Sequence, residues 1–223
     1  MKIEFETKNF FESGHSIAFS HLLGFKFPWE AVPKISEIID ALIPTLSSDF
    51  IKTAEGVYVF RGVDIPKTAH VSPKTIICEG AEIRHGAYIR GNAIIGKGAV
   101  VGNSCEIKNA ILFDGVAVPH FSYVGDSIIG YKSHLGASAI ISNLKSDKSN
   151  VSIKQSGEVI ATVGRKLGAI IGDGVEVGCG SVLNPGTVIL SGARIYPLSS
   201  VRGTVERDAI YKSSGNIVKQ KRG

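Results

Sequence analysis

His120 stands in "VAVPHFSYVGD", between a proline and an aromatic, twelve residues beyond Lys108, which is itself eighteen beyond Arg90. A histidine titrates near neutrality, and its neutral imidazole can take a proton from an amine or hydroxyl under attack. Arg90 and Lys108 each directly follow an isoleucine, in "YIRGN" and "EIKNA". A guanidinium offers a fork to a phosphate and an ammonium a point charge. The three residues together would suit proton transfer beside an anchored phosphate. The plain alternative is a solvated corner histidine and two cations reaching into water, with Lys108 leaning on Glu106.

Whether these residues meet depends on the elements that carry them. Ile65, Val71, Ile77, Ile83, Ile89, Ile95, Val101 and Ile107 fall six residues apart, and Ile171, Val177, Leu183, Ile189, Ile195 and Val201 do so again. Two positions before most of them sits a small residue, as at Ala81, Ala87, Ala93 and Ala99. A period of six matches neither a helix nor a half-buried strand. It matches a short strand whose small and branched residues both face inward, followed by a corner. Three such sides close a triangular coil, and coils stack at a strand spacing of about 4.8 Å into a parallel β-helix. The fold is therefore predicted to be mainly β. Eighteen residues make one coil, which sets Arg90 above Lys108 at one corner. Like charges so placed repel unless an anion lies between them. Ser72 shares that coil phase, and Asp126 would do so only if the breaks in the repeat were ignored.

The hexads run over residues 59–210 and break between Ile107 and Ile171. After Phe113 the next inward candidates are Val118 and Val124, so the spacing predicts a residue lost around "DGVAVPH", with a further slip before Leu135. Residues 142–168 are polar and free of the pattern, which predicts an exposed inserted loop overhanging a site. Residues 1–58 differ. Ile35, Ile38, Ile39, Leu42 and Ile43 repeat at helical spacing between Pro33 and Pro44. This region is expected to be a helical cap or packing element, since an open coil end must be covered, with Trp29 in its packing or else lining a ligand site. Residues 211–223 read as a basic tail.

The bulk numbers bound the rest. With 223 residues, 43% of them hydrophobic, the chain can bury one sizeable core. Its net charge of +5 suits phosphorylated small ligands. The cations are scattered until "KQKRG", without the concentrated stripe that nucleic acid needs. Three cysteines have no metal-ligand spacing, and no leader or long apolar window stands out. A reduced, cytoplasmic setting away from the membrane is expected. His70, His85, His120 and His134 lack a close histidine pair, so no metal is expected.

The hexads resemble the left-handed β-helix of the hexapeptide-repeat transferase superfamily. Within it, "YIRGN", "EIKNA" and "HFSYVGD" in residues 87–143 resemble the acetyltransferase domain of the bifunctional glucosamine-1-phosphate acetyltransferase/N-acetylglucosamine-1-phosphate uridylyltransferase family. The resemblance implies His120 as general base, Arg90 and Lys108 on the sugar phosphate, and Tyr123 and Asn143 orienting the sugar. It also implies acetyl-CoA as co-substrate, bound in a groove between β-helices of a homotrimer. Lys219, Lys221 and Arg222 would then reach coenzyme A phosphates, unless the tail is simply an unstructured solubilising segment. His134 and Leu144 replace a family asparagine and tyrosine, and the insert replaces a loop bearing a substrate lysine. Lys145, Lys148 and Lys154 are equal candidates for that lysine.

The function so implied is acetyl transfer from acetyl-CoA to a phosphorylated amino sugar or nucleotide sugar, in metabolism of the UDP-N-acetylglucosamine type. The alternatives are a non-catalytic sugar-phosphate-binding module partnering a separate nucleotidyltransferase and a metalloprotein like the γ-class carbonic anhydrases. No glycine-rich nucleotidyltransferase loop occurs in these residues. This chain by itself is expected to release no pyrophosphate from UTP and a sugar 1-phosphate; a pyrophosphate assay above background would overturn that.

Overall fold

A computed structural model describes residues 5–155, 158–162, 164–213 and 215–219. The hexads wind into a parallel β-solenoid of about eight turns. Its first face stacks His70–Val71 on Tyr88–Ile89, then Glu106 and Ile107, Tyr123 and Val124, Ile140–Ile141, Val182–Leu183 and Ser200–Val201. Its second stacks Thr75–Ile77, Ala93–Ile95, residues 110–112, 127–129, Ala169–Ile171 and Thr187–Ile189. The third runs from Glu82–Ile83 through Ala117–His120 to Ala209–Ser213. Ile89, Ile95, Val101, Ile107, Ile171 and Leu183 are buried, as their period requires.

The repeat loses its residues at a different place from the one expected. Ile89 and Ala93 are four apart, whereas their partners on the next coil, Ile107 and Ala110, are three apart, and so are Val124 and Ser127 beyond. From Leu112 to Val118 the count of six is intact. The shortened steps are therefore Lys108–Asn109 and Gly125–Asp126, both at the corner between the first and second faces. That corner is turned by a left-handed residue in four successive coils: Lys74 (φ 60°), Asn92 (48°), Asn109 (49°) and Asp126 (49°). Asn and Asp tolerate this conformation better than other non-glycine residues.

The second face is also apolar on its outer side. Ile94, Ile111 and Ile128 point away from the coil interior yet are fully buried. The N-terminal segment covers them, its helices packed along this face and not over the coil end. Ile35–Leu42 buries Ile35, Ile38, Ile39 and Leu42, the helical-spacing set. Pro28 starts the preceding turn, where Glu30 accepts the Phe27 N–H (3.1 Å). Trp29 is buried against Phe27. The coil ends finish in antiparallel hairpins instead: Phe50–Ala54 with Val57–Phe60, and Ala209–Ser213 with Asn216–Lys219. The second hairpin occupies ground where a tail was expected.

The insert likewise is more than a solvated loop. Ser152–Gln155 pairs with Glu158–Ala161, Val151 and Ile153 are buried, and Thr204 Oγ1 donates to the Lys154 carbonyl (2.9 Å). No helix among the described residues is long and apolar enough to cross a membrane. Because Ile111 is clamped between the coil and the N-terminal helices, Ile111→Ala should cost about 2–4 kcal/mol in a denaturant melt. A solvent-facing isoleucine would cost within about 0.5 kcal/mol, and that result would contradict the covered face.

Candidate active site

The shortened corner builds the site. Taking one residue out of each turn brings Lys108 opposite Gly125, and Asp126, in its left-handed conformation, turns its carboxylate back onto the Lys108 ammonium. Asp126 is 4% exposed and accepts four hydrogen bonds. Lys108 Nζ donates to both oxygens (2.9 and 3.0 Å), Asn109 Nδ2 to Oδ1 (2.9 Å) and Asn143 Nδ2 to Oδ2. A carboxylate offers about four lone-pair directions, so this one is saturated. Asn143 Nδ2 also reaches the Tyr123 hydroxyl (3.2 Å), and Asn109 Nδ2 the Val32 carbonyl (3.2 Å). Neither amide oxygen accepts a hydrogen bond among the described residues, and the Tyr123 hydroxyl, accepting from Asn143, keeps its own proton to donate.

The repulsion expected between Arg90 and Lys108 is thus settled by protein carboxylates. Lys108 does not lean on Glu106; Asp126 holds it. Glu106 instead accepts from Arg90 (2.9 Å). The two pairs differ in kind. Side-chain exposures are 51% and 32% for Arg90 and Glu106, but 21% and 6% for Lys108 and Asp126. An exposed pair exchanges partners at little cost, whereas breaking the sheltered one leaves an uncompensated charge. Burial, and then the Asp126 and Glu106 charges, push the Tyr123 phenol above its ordinary range. A Cβ at Gly125 would stand 2.5 Å from the Tyr123 hydroxyl and 2.8 Å from Asn143 Nδ2, so any side chain there would displace both.

His120 ends the third face, one corner before Tyr123, and is exposed. Its carbonyl accepts from Ser122 Oγ (3.0 Å) and the Ser138 N–H (3.0 Å), while its ring has no hydrogen-bond partner among the described residues. Lys108, Tyr123 and Asn143 are therefore joined through Asp126, Arg90 flanks them through Glu106, and His120 stands around the corner. His134 is paired with Glu176 (2.9 Å). Lys219 is exposed on the last hairpin, and Lys221 and Arg222 lie outside the described residues. No group of three or more His, Cys, Asp or Glu able to hold a metal occurs among the described residues.

Beside Asp126 opens a cavity of about 410 Å³. Val32, Pro33 and Leu144 form its apolar wall, Asn109 and Asp126 its polar floor, and Lys148, Arg165 and Lys166 its cationic rim. Of the three insert lysines, only Lys148 faces this space. Lys145 instead donates to the Asn150 carbonyl (2.6 Å) within its own turn. Sequence reasoning missed Asn109, Arg165 and Lys166, and set Asp126 aside on the breaks in the repeat. The signal for Asn109 and Asp126 was an Asn or Asp directly before a small residue in "RGNA", "IKNA" and "VGDS".

The model of the GMPPB C-terminal domain matches residues 71–191, more than half of the 223. The chain belongs to this family. The GMPPB C-terminal domain match contains Arg90, Lys108, His120, Tyr123, Asn143 and the rim cations, but not Val32 and Pro33, which the N-terminal segment adds. Among its relatives, the bifunctional sugar-1-phosphate nucleotidylyltransferase/acetyltransferase of Sulfurisphaera tokodaii is 38% identical over 109 residues, 49% of this chain and 27% of that protein. The bifunctional protein GlmU of Methanococcus aeolicus is 33% identical over 155 residues, 69% of this chain and 33% of that protein. The chain thus spans about a third or less of these relatives. A solved structure of a point mutant of AntD, an N-acyltransferase from Bacillus cereus in complex with dTDP and coenzyme A, aligns at TM-score 0.40 and 15% identity, covering 75% of this chain and 80% of that one.

Asp126→Asn keeps a side chain suited to positive φ but removes the charge and adds donors facing donors. It should lower stability by about 1–3 kcal/mol in chemical denaturation. It should also bring the Tyr123 phenol down, since a nearby negative charge opposes phenolate formation. Absorbance titration against Tyr123→Phe reads this; an unmoved phenol would remove Asp126 from the cluster.

Proposed function

We propose that this chain is a CoA-dependent acetyltransferase whose acceptor is a phosphorylated amino sugar of the glucosamine 1-phosphate type. The observation that carries the reading is the Asp126 hub, which ties Lys108, Asn143 and Tyr123 into one polar cluster inside the matched domain. Relatives described as nucleotidylyltransferase/acetyltransferase and GlmU proteins support it.

In this reaction the acceptor's amine nitrogen attacks the thioester carbonyl of acetyl-CoA. The N–C bond forms, the C–S bond breaks, and the amine proton passes to neutral His120 and then to the departing thiolate. No covalent enzyme intermediate is needed. The Tyr123 hydroxyl donates to the sugar, and the Asn143 carbonyl oxygen accepts from it. Arg90 can turn to a phosphate if Glu106 gives way. Lys108, held by Asp126, contributes by fixing the cluster. Acetyl-CoA lies along a groove between β-helices of a homotrimer, in a reduced, cytoplasmic setting that suits three free cysteines. A second reading, a sugar-phosphate-binding module without turnover, is favoured by one observation: the His120 ring has no orienting partner among the described residues.

Thiol release from acetyl-CoA in the presence of glucosamine 1-phosphate separates the two. Turnover should occur, and His120→Ala should lower kcat by about 10²- to 10⁴-fold with acceptor binding retained. Binding without thiol release across several amino-sugar phosphates would establish the module in its place.

A further inference from the structure

Lys108 could reach a phosphate only by abandoning a sheltered carboxylate, whereas Arg90, in an exposed pair, can exchange Glu106 at little cost. The cavity beside them holds cations of another kind. Lys148, Arg165 and Lys166 make no side-chain hydrogen bond or ion pair among the described residues, yet all three border one concave space. Among the described residues the single carboxylate lining that space is Asp126, whose acceptor capacity is spent on Lys108 and the two amides. The positive rim therefore has no internal counter-charge, and bringing three like charges to one cavity is unfavourable until an anion enters.

The rim is also firmly mounted. Leu144 and Lys166 form an antiparallel bridge, the Leu167 N–H donates to the Asn143 carbonyl (3.1 Å), and the Gly168 N–H to the Asp126 carbonyl (2.8 Å). Lys148 sits in a turn closed by its own N–H onto the Lys145 carbonyl (3.0 Å). The cations thus hang from the same backbone that positions Asn143 and Asp126. Opposite them, Val32 and Pro33 supply an apolar wall, and Asn109, with both amide hydrogens committed, offers an acceptor oxygen. The volume of about 410 Å³ falls in the range of small-molecule sites. Cationic rim, acceptor floor and apolar wall together match a compact ligand with phosphate at one end and hydroxyl or amine donors at the other.

We infer that this cavity is an anion site for the phosphate of a small phosphorylated ligand, held by Lys148, Arg165 and Lys166. The naming of the ligand as an amino-sugar phosphate rests on the acetyltransferase reading; the anion site does not. Two phosphate sources share this chemistry, the acceptor's phosphate and those of coenzyme A.

Calorimetric titrations of the full chain with glucosamine 1-phosphate, glucosamine, coenzyme A and inorganic phosphate test the inference. The variants are Arg165→Gln/Lys166→Gln, Lys148→Gln and Arg90→Gln, with melting curves as the folding control. The double variant should weaken glucosamine 1-phosphate about tenfold or more and Lys148→Gln less, with Arg90→Gln as the comparison that removes a cation outside the cavity. Wild-type affinity should fall with added salt, and glucosamine should bind weakly and alike throughout. A loss confined to coenzyme A would keep the anion site and make the cofactor its source. If the double variant binds both as the wild type does, whatever Arg90→Gln does, or if the wild type binds no phosphate compound, the inference is wrong. Should Lys148→Gln misfold, the double variant alone decides. Acetyl transfer with an unchanged KM in the double variant would sink the anchor and leave the acetyltransferase. Phosphate-dependent binding without thiol release would do the reverse.

Discussion

A coil of a parallel β-helix must return to the same three corners at the height of one strand spacing on every turn. A residue can be dropped only where a corner can tighten without breaking the ladders on either side. In this chain that place is the corner of Lys74, Asn92, Asn109 and Asp126, all left-handed. Two successive coils tighten there, and the tightening moves a carboxylate one position closer to the column of cations. Asp126 is consequently enclosed by Lys108, Asn109 and Asn143, and the site's polar order follows from that contact.

The same corner is where the rest of the molecule converges. The second face carries "TII", "AII", "AIL" and "SII" where half-buried strands would alternate, and runs apolar on both sides belong to strands covered on both sides. Burying each outward isoleucine contributes about 1.5–3 kcal/mol, which draws the N-terminal helices along the face. That docking brings the Val32 carbonyl onto Asn109 and lines the cavity with Val32 and Pro33. The insert closes the cavity from the other side, returning through the Leu144–Lys166 bridge and the Gly168 N–H on the Asp126 carbonyl. A packing segment and an insertion, remote from each other in the chain, thereby share one cleft.

Electrostatics then divides the cations by their partners. Arg90 and Lys108 are spaced as a phosphate clamp would be, but each has a carboxylate across the neighbouring coil. Lys148, Arg165 and Lys166 carry no such partner among the described residues. Tyr123 is tied to the first group through Asn143 and Asp126, its phenol raised by burial and by the acids nearby. Charge in a repeat fold is read coil against coil, so a side chain's role depends on what the adjoining turn presents.

Much of the fold was legible. The six-residue beat of small and branched residues has one stable solution, since only stacked triangular coils bury every inward position. Helical spacing in "PKISEIIDALIP" marked Ile35–Leu42 for the same reason of periodicity. His120, Arg90, Lys108, Tyr123 and Asn143 could be nominated from type and resemblance. Where the beat drops a residue was misjudged, because a missing residue in a repeat shows only as a phase change, and several corners can absorb it equally well on paper. Asp126 as the partner of Lys108, the helices on the second face in place of the coil end, and the rim of Arg165 and Lys166 all hang on that register. The sequence by itself determined the repeating unit, because burial within one strand and corner is local. Which residues meet across coils was decided only by the tertiary structure, because a single residue lost at one corner re-pairs every side chain beyond it.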